Sequence, residues 1–210
     1  MNRNRLQTIR LILLVVLVVA FLVYRSRTRL KPAPRLAPQA IGCGEGCGEE
    51  RWPVKTLTDS DAIRVNFSAQ PTTVDWLVSQ TAPSILPSDS RIAPIETQVY
   101  VVTARLVGFK LEEDRDIHIV IADLKDASET MIVEIPSVEC SGACASARYS
   151  DFLSARTTFA STFGTPIDRF HRAGGTVRVT GVAFFDFLHH QTGVAPNGIE
   201  IHPVLSIQLE

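Results

Sequence analysis

The chain has 210 residues, room for one compact domain of about 100–150 residues with extensions. Its formal net charge of -1 conceals an asymmetry: of the 21 Lys and Arg, Arg3, Arg5, Arg10, Arg25, Arg27, Arg29, Lys31 and Arg35 precede Gly42, whereas all 22 Asp and Glu follow it. The part after Ile41 is therefore strongly acidic, which opposes electrostatic tracking of a phosphate backbone, and no nucleic-acid partner is expected.

Residues 1–10 form a basic terminus, and "LILLVVLVVAFLVY" (Leu11–Tyr24) follows without a charged side chain. With Leu6–Arg10 added, a helix here reaches about 28 Å, enough to span if Arg10 and Arg25 snorkel toward the headgroups. The rival is a cleavable signal peptide, but "YRSRTRLK" stands where a small-residue cleavage site belongs. A single transmembrane anchor at residues 11–24 is the expectation, which makes the membrane a partner and the cell membrane the location. Arginines flank the segment on both sides; their balance leans toward a cytoplasmic carboxyl side, and the cysteines lean the other way.

Residues 25–41 hold "KPAPRLAPQA", a Pro- and Arg-rich stretch that reads as an extended stalk. Residues 42–95 are rich in turn formers and read as an irregular wrap over the following core. Only Thr73–Gln80 is long enough there for a short helix, begun by a threonine cap.

From residue 96 to 210 the periodicity is legible. Tyr100, Val102, Ala104 and Leu106 alternate with polar neighbours in a first strand interrupted at Gly108, and Ile117, Ile119 and Ile121 do the same in a second. Met131–Ile135 is a third. Phe152, Ala155, Phe159 and Phe163 then recur at helical spacing. Thr176–Phe185 and Ile199–Leu209 close the chain, the last with Ile199, Ile201, Leu205, Ile207 and Leu209 on one face and Glu200, His202, Ser206 and Gln208 on the other. The order β-β-β-α-β-β predicts a mainly β chain, an OB-like five-stranded barrel behind a single N-terminal transmembrane helix; a small α+β sandwich is the alternative.

That barrel brings the loop "LEEDRD" and the loop "DFLHHQTGVAPNG" to one end. Asp114, Asp116 and His118 are expected on one face of a strand by period two, with Asp186, His189, His190, Glu200 and His202 near them. Together they offer oxygen and imidazole ligands for a divalent cation, and no other cofactor is expected. The plainer account is that the carboxylates solvate a hairpin loop while His118 and His202 hydrogen-bond to backbone or carboxylate groups. The chain lacks GxSxG, P-loop and GxGxxG motifs, so no residue is assigned a catalytic role and hydrolase or nucleotide chemistry has no local support. Phe184, Phe185 and Phe187 read as packing residues before stacking platforms.

Cys43, Cys47, Cys140 and Cys144 form two pairs at identical three-residue spacing. A four-cysteine zinc site and two disulfides are both open; zinc sites more often use two-residue spacers, so bridges and an oxidising compartment are preferred.

The blocks "CGEERWPVKTLTD", "SRIAPIETQVYVVTARL", "FKLEEDRDIHIVIADL", "TMIVEIPSVEC" and "VTGVAFFDFLHHQTGVAPNGIEIHPVLSI" resemble a widespread family of bacterial proteins read as secreted or envelope-associated and without an assigned activity. The resemblance runs from about Cys47 to Glu210. It implies export and a bridge between Cys47 and Cys140, and leaves Cys43 and Cys144 as the second pair. The expectation is a membrane-tethered, extracytoplasmic module that binds an envelope ligand or partner protein without chemistry. A metal-dependent hydrolase built on the acidic and histidine loops is the alternative.

Overall fold

The computed structural model describes residues 43, 44, 47, 48, 50–189 and 191–210. The basic terminus, the anchor expected at residues 11–24 and the stalk lie outside them. Among the described residues, no helix is long and apolar enough to cross a membrane.

The wrap is more regular than its composition implies. A single helical turn, α1 (Trp52–Lys55), carries Pro53 in its first turn, where the missing N–H costs nothing. Strand β1 (Asn66–Thr72) runs parallel to the first barrel strand. Its side chains are almost all exposed, so it lacks the alternation by which a strand is read from sequence. Helix α2 (Val74–Val78) is the short helix expected here, and the Thr73 side chain accepts from the Trp76 N–H at 3.1 Å.

Five strands then close into a barrel: β2 (Gln98–Leu111), β3 (Ile117–Ala122), β4 (Thr130–Ile135), β6 (Thr176–Phe185) and β7 (Ile199–Leu209). Their order around the barrel is β2-β3-β4-β7-β6, and β6 returns to pair with β2. All of these pairings are antiparallel except β4–β7. A short turn, α3 (Ser141–Ala145), and the longer helix α4 (Tyr149–Phe163) stand between β4 and β6, and a two-residue strand, β5 (His171–Arg172), pairs with β2. The expected mainly β chain with a closed five-stranded barrel and one helix before the last two strands is therefore present.

Branched and aromatic side chains at alternate positions fill the interior, among them Val102, Ile119, Ile121, Val133, Val179 and Ile201. Phe159 of α4 meets Phe109 edge-on at 4.9 Å between centroids and plugs one end. The first strand is continuous through Gly108, contrary to the expected interruption. Its register to β3 shifts between Leu106 and Gly108, a bulge that lets Leu106 and Phe109 both face inward. A Cβ at Gly108 would stand 2.5 Å from the His171 carbonyl, so the close approach of β5 requires glycine.

The last strand departs from its expected single apolar face. Register shifts beside Gly181 put Ile201, Val204 and Ile207 inside at three-residue spacing, while Leu205 packs on a second cluster outside the barrel. That second cluster, with Leu57, Val65, Val99, Val138, Phe152 and Val182, glues the wrap and α4 to the outer barrel surface. An outer face that alternation marks as polar is consequently covered.

The four cysteines pair as Cys43–Cys144 and Cys47–Cys140, with Cα separations of 6.0 and 5.5 Å. Both pairs tie the start of the wrap to α3, and Gly44 adds a bond from its N–H to the Glu139 carbonyl at 2.7 Å.

Candidate functional site

The acidic run does not continue the strand. Arg115 takes φ 71°, and the Arg115 N–H donates to the Glu112 carbonyl at 2.9 Å, so residues 112–116 form a turn before β3. The shared face expected for Asp114, Asp116 and His118 is thereby broken. Asp114 lines a surface cleft, and one of its oxygens accepts from the Asp116 N–H at 3.0 Å. Asp116 turns inward and is fully buried, its Oδ1 accepting from the Ser137 N–H at 2.7 Å.

Beneath the cleft, three strands set one polar row on the outer barrel face. His118 on β3 is cross-strand partner to Glu134 on β4, and Glu134 sits one step past the Val133–Ile201 pair of the β4–β7 ladder, beside His202. Glu134 bridges the two rings: Oε1 is 2.9 Å from His118 Nδ1, and Oε2 is 3.1 Å from His202 Nδ1. His118 Nε2 donates to the Thr192 carbonyl at 3.0 Å, which fastens the β6–β7 loop over the row. His202 Nε2 faces Asp116 Oδ2 at 3.3 Å. Glu200, one alternate residue away, is also buried.

The electrostatics follow from this alternation of acids and imidazoles. Burial pushes Asp116 up to about 6, helped by Asp114 and Glu134 and opposed by His202. For His202 burial acts downward, but Asp116 and Glu134 outweigh it and lift the ring to about 9. His118 is likewise raised against burial, by Glu134, the Thr192 carbonyl and Glu112. The two rings hold Glu134 well below the ordinary carboxylate range although burial acts upward. Burial drives Glu200 well above that range, and its neighbours Glu134 and Asp186 act in the same direction.

The cleft itself, about 390 Å³, lies between the 112–116 turn, α1 and the β6–β7 loop. Among the described residues, six carboxylates line it, from Glu50, Glu112, Glu113, Asp114, Glu134 and Asp186, against one ammonium, that of Lys55. Lys55 Nζ donates to Asp186 Oδ2 at 2.9 Å. At the rim His189 Nε2 is 2.8 Å from Glu50 Oε2. His190 lies outside the described residues. The expected meeting of acidic and histidine loops is thus present. Asp114, Asp186 and His189 face the cleft, while Asp116, His118, Glu200 and His202 are interior.

Among the described residues, three trios offer ligand atoms within 4.8 Å of one another: Glu50, Asp186 and His189; Glu112, His118 and Glu134; Asp116, Glu134 and His202. Glu134 serves two of them and escaped the sequence reading. Its signal was there, as the one charge inside "MIVEIP". Lys55 and Glu50 lie in the wrap and carried no pattern that would have placed them.

No protein-family model matches the chain, and no curated protein does. Among solved structures, the chain is similar to the crystal structure of a protein described as an aspartyl-tRNA synthetase from Leishmania major Friedlin, at 13% identity and a TM-score of 0.38. The match covers 79% of this chain and 23% of that one.

Proposed function

We propose that this chain is an exported, membrane-tethered binding module with an OB-like barrel, whose ligand surface is the acidic cleft and which performs no chemistry on what it binds. The observation that carries this reading is the lining of the cleft, six carboxylates against one lysine, at the barrel end where the β2–β3 and β6–β7 loops converge. A low-dielectric wall with that lining concentrates field on a cationic group. Beside it, sharing Asp186, runs an apolar groove with Ile85 80% and Leu188 65% exposed. Charge and apolar surface together suit a partner segment that carries a basic side chain next to aliphatic ones. The two disulfides support an oxidising, extracytoplasmic setting.

Calorimetric titration with a set of peptides joining a Lys-Lys pair to a Leu-Leu pair through glycine spacers tests this. Binding that weakens with salt and is lost in Glu113→Gln with Asp114→Asn is expected; indifference to both changes overturns it. The second reading, a metal-dependent hydrolase, is favoured by the trio of exposed Glu50 and His189 with buried Asp186 at the rim. It requires a metal that His189→Ala removes together with a hydrolytic activity.

A further inference from the structure

Away from the cleft, β1, α2 and the start of β2 enclose a groove of about 780 Å³, against about 390 Å³ for the cleft, and the two share no residue. Its walls carry Trp76 and Tyr100, whose ring centroids are 5.7 Å apart with planes inclined by 43°, together with Pro71 and Pro94. Both rings are held from behind. The Thr73 side chain caps α2 at the Trp76 N–H, and Val74 and Leu77, on either side of Trp76, are buried in the barrel core, which leaves the indole residue 41% exposed. Tyr100 lines the groove from its strand with only 6% of its surface accessible.

The floor is preformed as well. Asn66 Nδ2 donates to Gln98 Oε1 at 3.0 Å, and Gln98 Nε2 donates to the Ser68 and Val99 carbonyls at 2.8 and 2.7 Å, so these amides are locked. What remains is a set of donors. Among the described residues, the Trp76 indole N–H, the Tyr100 hydroxyl and the Gln70 amide have no hydrogen-bond partner, and Gln70 is the register partner of Tyr100 in the β1–β2 ladder. Arg64 uses one N–H on Asp61 at 3.3 Å and keeps the others. Among the described residues no Asp or Glu lines the groove.

Inclined aromatic rings edged by donors, without a carboxylate, fit a ligand that is apolar along its flanks and presents acceptors only. A run of prolines is such a ligand: it has no backbone N–H to satisfy, its carbonyls are solvated around the polyproline II helix, and its conformation is set before binding. Aromatic-lined grooves recognise segments of this kind in general. A strand added to the free edge of β1 fits less well, because Pro71 removes a ladder donor and the register breaks between Asn66 and Gln70. A sugar chain needs acceptors for its hydroxyl protons, and the Asn66 and Gln98 side-chain oxygens are already engaged. We propose that this groove binds a proline-rich segment of a partner protein in the polyproline II conformation, its rings packed on Trp76 and Tyr100 and its carbonyls bonded to Trp76 Nε1, Gln70 and Arg64. The site stands independently of what the cleft binds.

Calorimetric titration of full-length protein in detergent with an acetylated and amidated peptide of about ten prolines is the test. Binding is expected, about tenfold weaker in Trp76→Ala, as for loss of an aromatic anchor, and unchanged by salt because the peptide carries no charge. A peptide of alternating alanine and serine, equally long, keeps its N–H groups and lacks the preset helix, and it should not bind. Absence of binding by the proline peptide, equal binding of the alanine and serine peptide, affinity that falls with salt, or parental affinity in Trp76→Ala overturns the proposal. Binding of a neutral hexasaccharide in place of the peptide overturns it too and makes the groove a sugar site. Should Trp76→Ala not melt cooperatively, the exposed pair Arg64→Ala with Gln70→Ala decides. Binding about tenfold weaker supports the site, and parental affinity overturns it.

Discussion

Arg51 and Glu96 complete each other in the interior. The guanidinium meets the carboxylate in a fork, Nη1 to Oε1 at 2.7 Å and Nη2 to Oε2 at 2.8 Å, with both side chains essentially inaccessible. The remaining donors of Arg51 go to the carbonyls of Pro87, Ser90 and Phe185, so all five of its N–H groups are used. Glu96 accepts in addition from the backbone N–H groups of Ile92 and Phe185. One ion pair thus joins α1, the 87–92 segment and the end of β6, and so fixes the wrap that forms one wall of the cleft.

Buried ion pairs are often replaceable by apolar pairs of similar size, because desolvation offsets their attraction. This one should resist. Arg51→Met or Glu96→Leu alone is expected to cost about 3–5 kcal/mol by leaving a buried charge. The double replacement still orphans five backbone groups, each worth about 1–3 kcal/mol, and should remain destabilised by about 3 kcal/mol or more. Urea unfolding of the three variants measures this, and a double variant as stable as the parent contradicts it.

Lys55 supplies a dependence on pH. Burial acts to lower its pKa, but Asp186, Glu134 and Glu200 override that and raise it above its ordinary value of 10.5. A cation with a raised folded-state pKa contributes stability in full below its unfolded pKa and loses it as pH rises through the folded one. The deficit of Lys55→Met, about 3–5 kcal/mol for a broken buried pair, should therefore stay constant from pH 7 to about 9.5. It should shrink only on the alkaline side of the normal lysine range. Melts of parent and variant at matched pH would refute the assignment if the gap closed near neutrality.

The two cystines enclose sequence separations of 101 and 93 residues. In the chain-entropy model each bridge over a loop of that length stabilises by up to about 4–5 kcal/mol, and strain or residual structure reduces the figure. Because they are nested over the same segment, their contributions should not add. Cys43→Ser with Cys144→Ser is expected to cost less in the presence of Cys47–Cys140 than in its absence. A double-mutant cycle in urea reads the difference; strict additivity would count against the nested arrangement.

Much of the barrel was legible because its inner rows follow a period of two, as at Ile117, Ile119 and Ile121, and because Phe152, Ala155 and Phe159 follow a helical stripe. Strand β1 was not, since an exposed edge strand with Pro71 has neither alternation nor β-branched enrichment. The loops were placed at the right end, yet the burial of Asp116, Glu134 and His202 was not foreseen. Alternation tells only that Glu134 and His202 point away from the core, and an outward position on a barrel is ordinarily wet. What covers it here is the Phe184 ring on His202, with Arg51 and Lys55 over that ring, and the β6–β7 loop bonded to His118 through Thr192, partners far apart along the chain that no local pattern encodes.

Gly193 links that loop to the interior row. It takes φ 86°, and a Cβ built there would stand 2.3 Å from Val120 Cγ1, so alanine meets both backbone strain and a clash. The neighbouring Thr192 carbonyl holds His118 Nε2, and displacing it leaves a buried N–H unpaired at a cost of about 1–3 kcal/mol. Gly193→Ala should thus destabilise by about 2–4 kcal/mol, the sum of strain and lost bond. Val120→Ala removes the colliding methyl groups but not the left-handed backbone. In the Gly193→Ala background it should recover part of the loss, less the cavity it opens. Nitrogen chemical shifts of the His118 ring supply the independent reading: the Nε2 signal should move in Gly193→Ala and return toward the parent value in the double variant. An unchanged His118 signal, whatever the melting temperature, would show that the loop does not reach the row through Thr192.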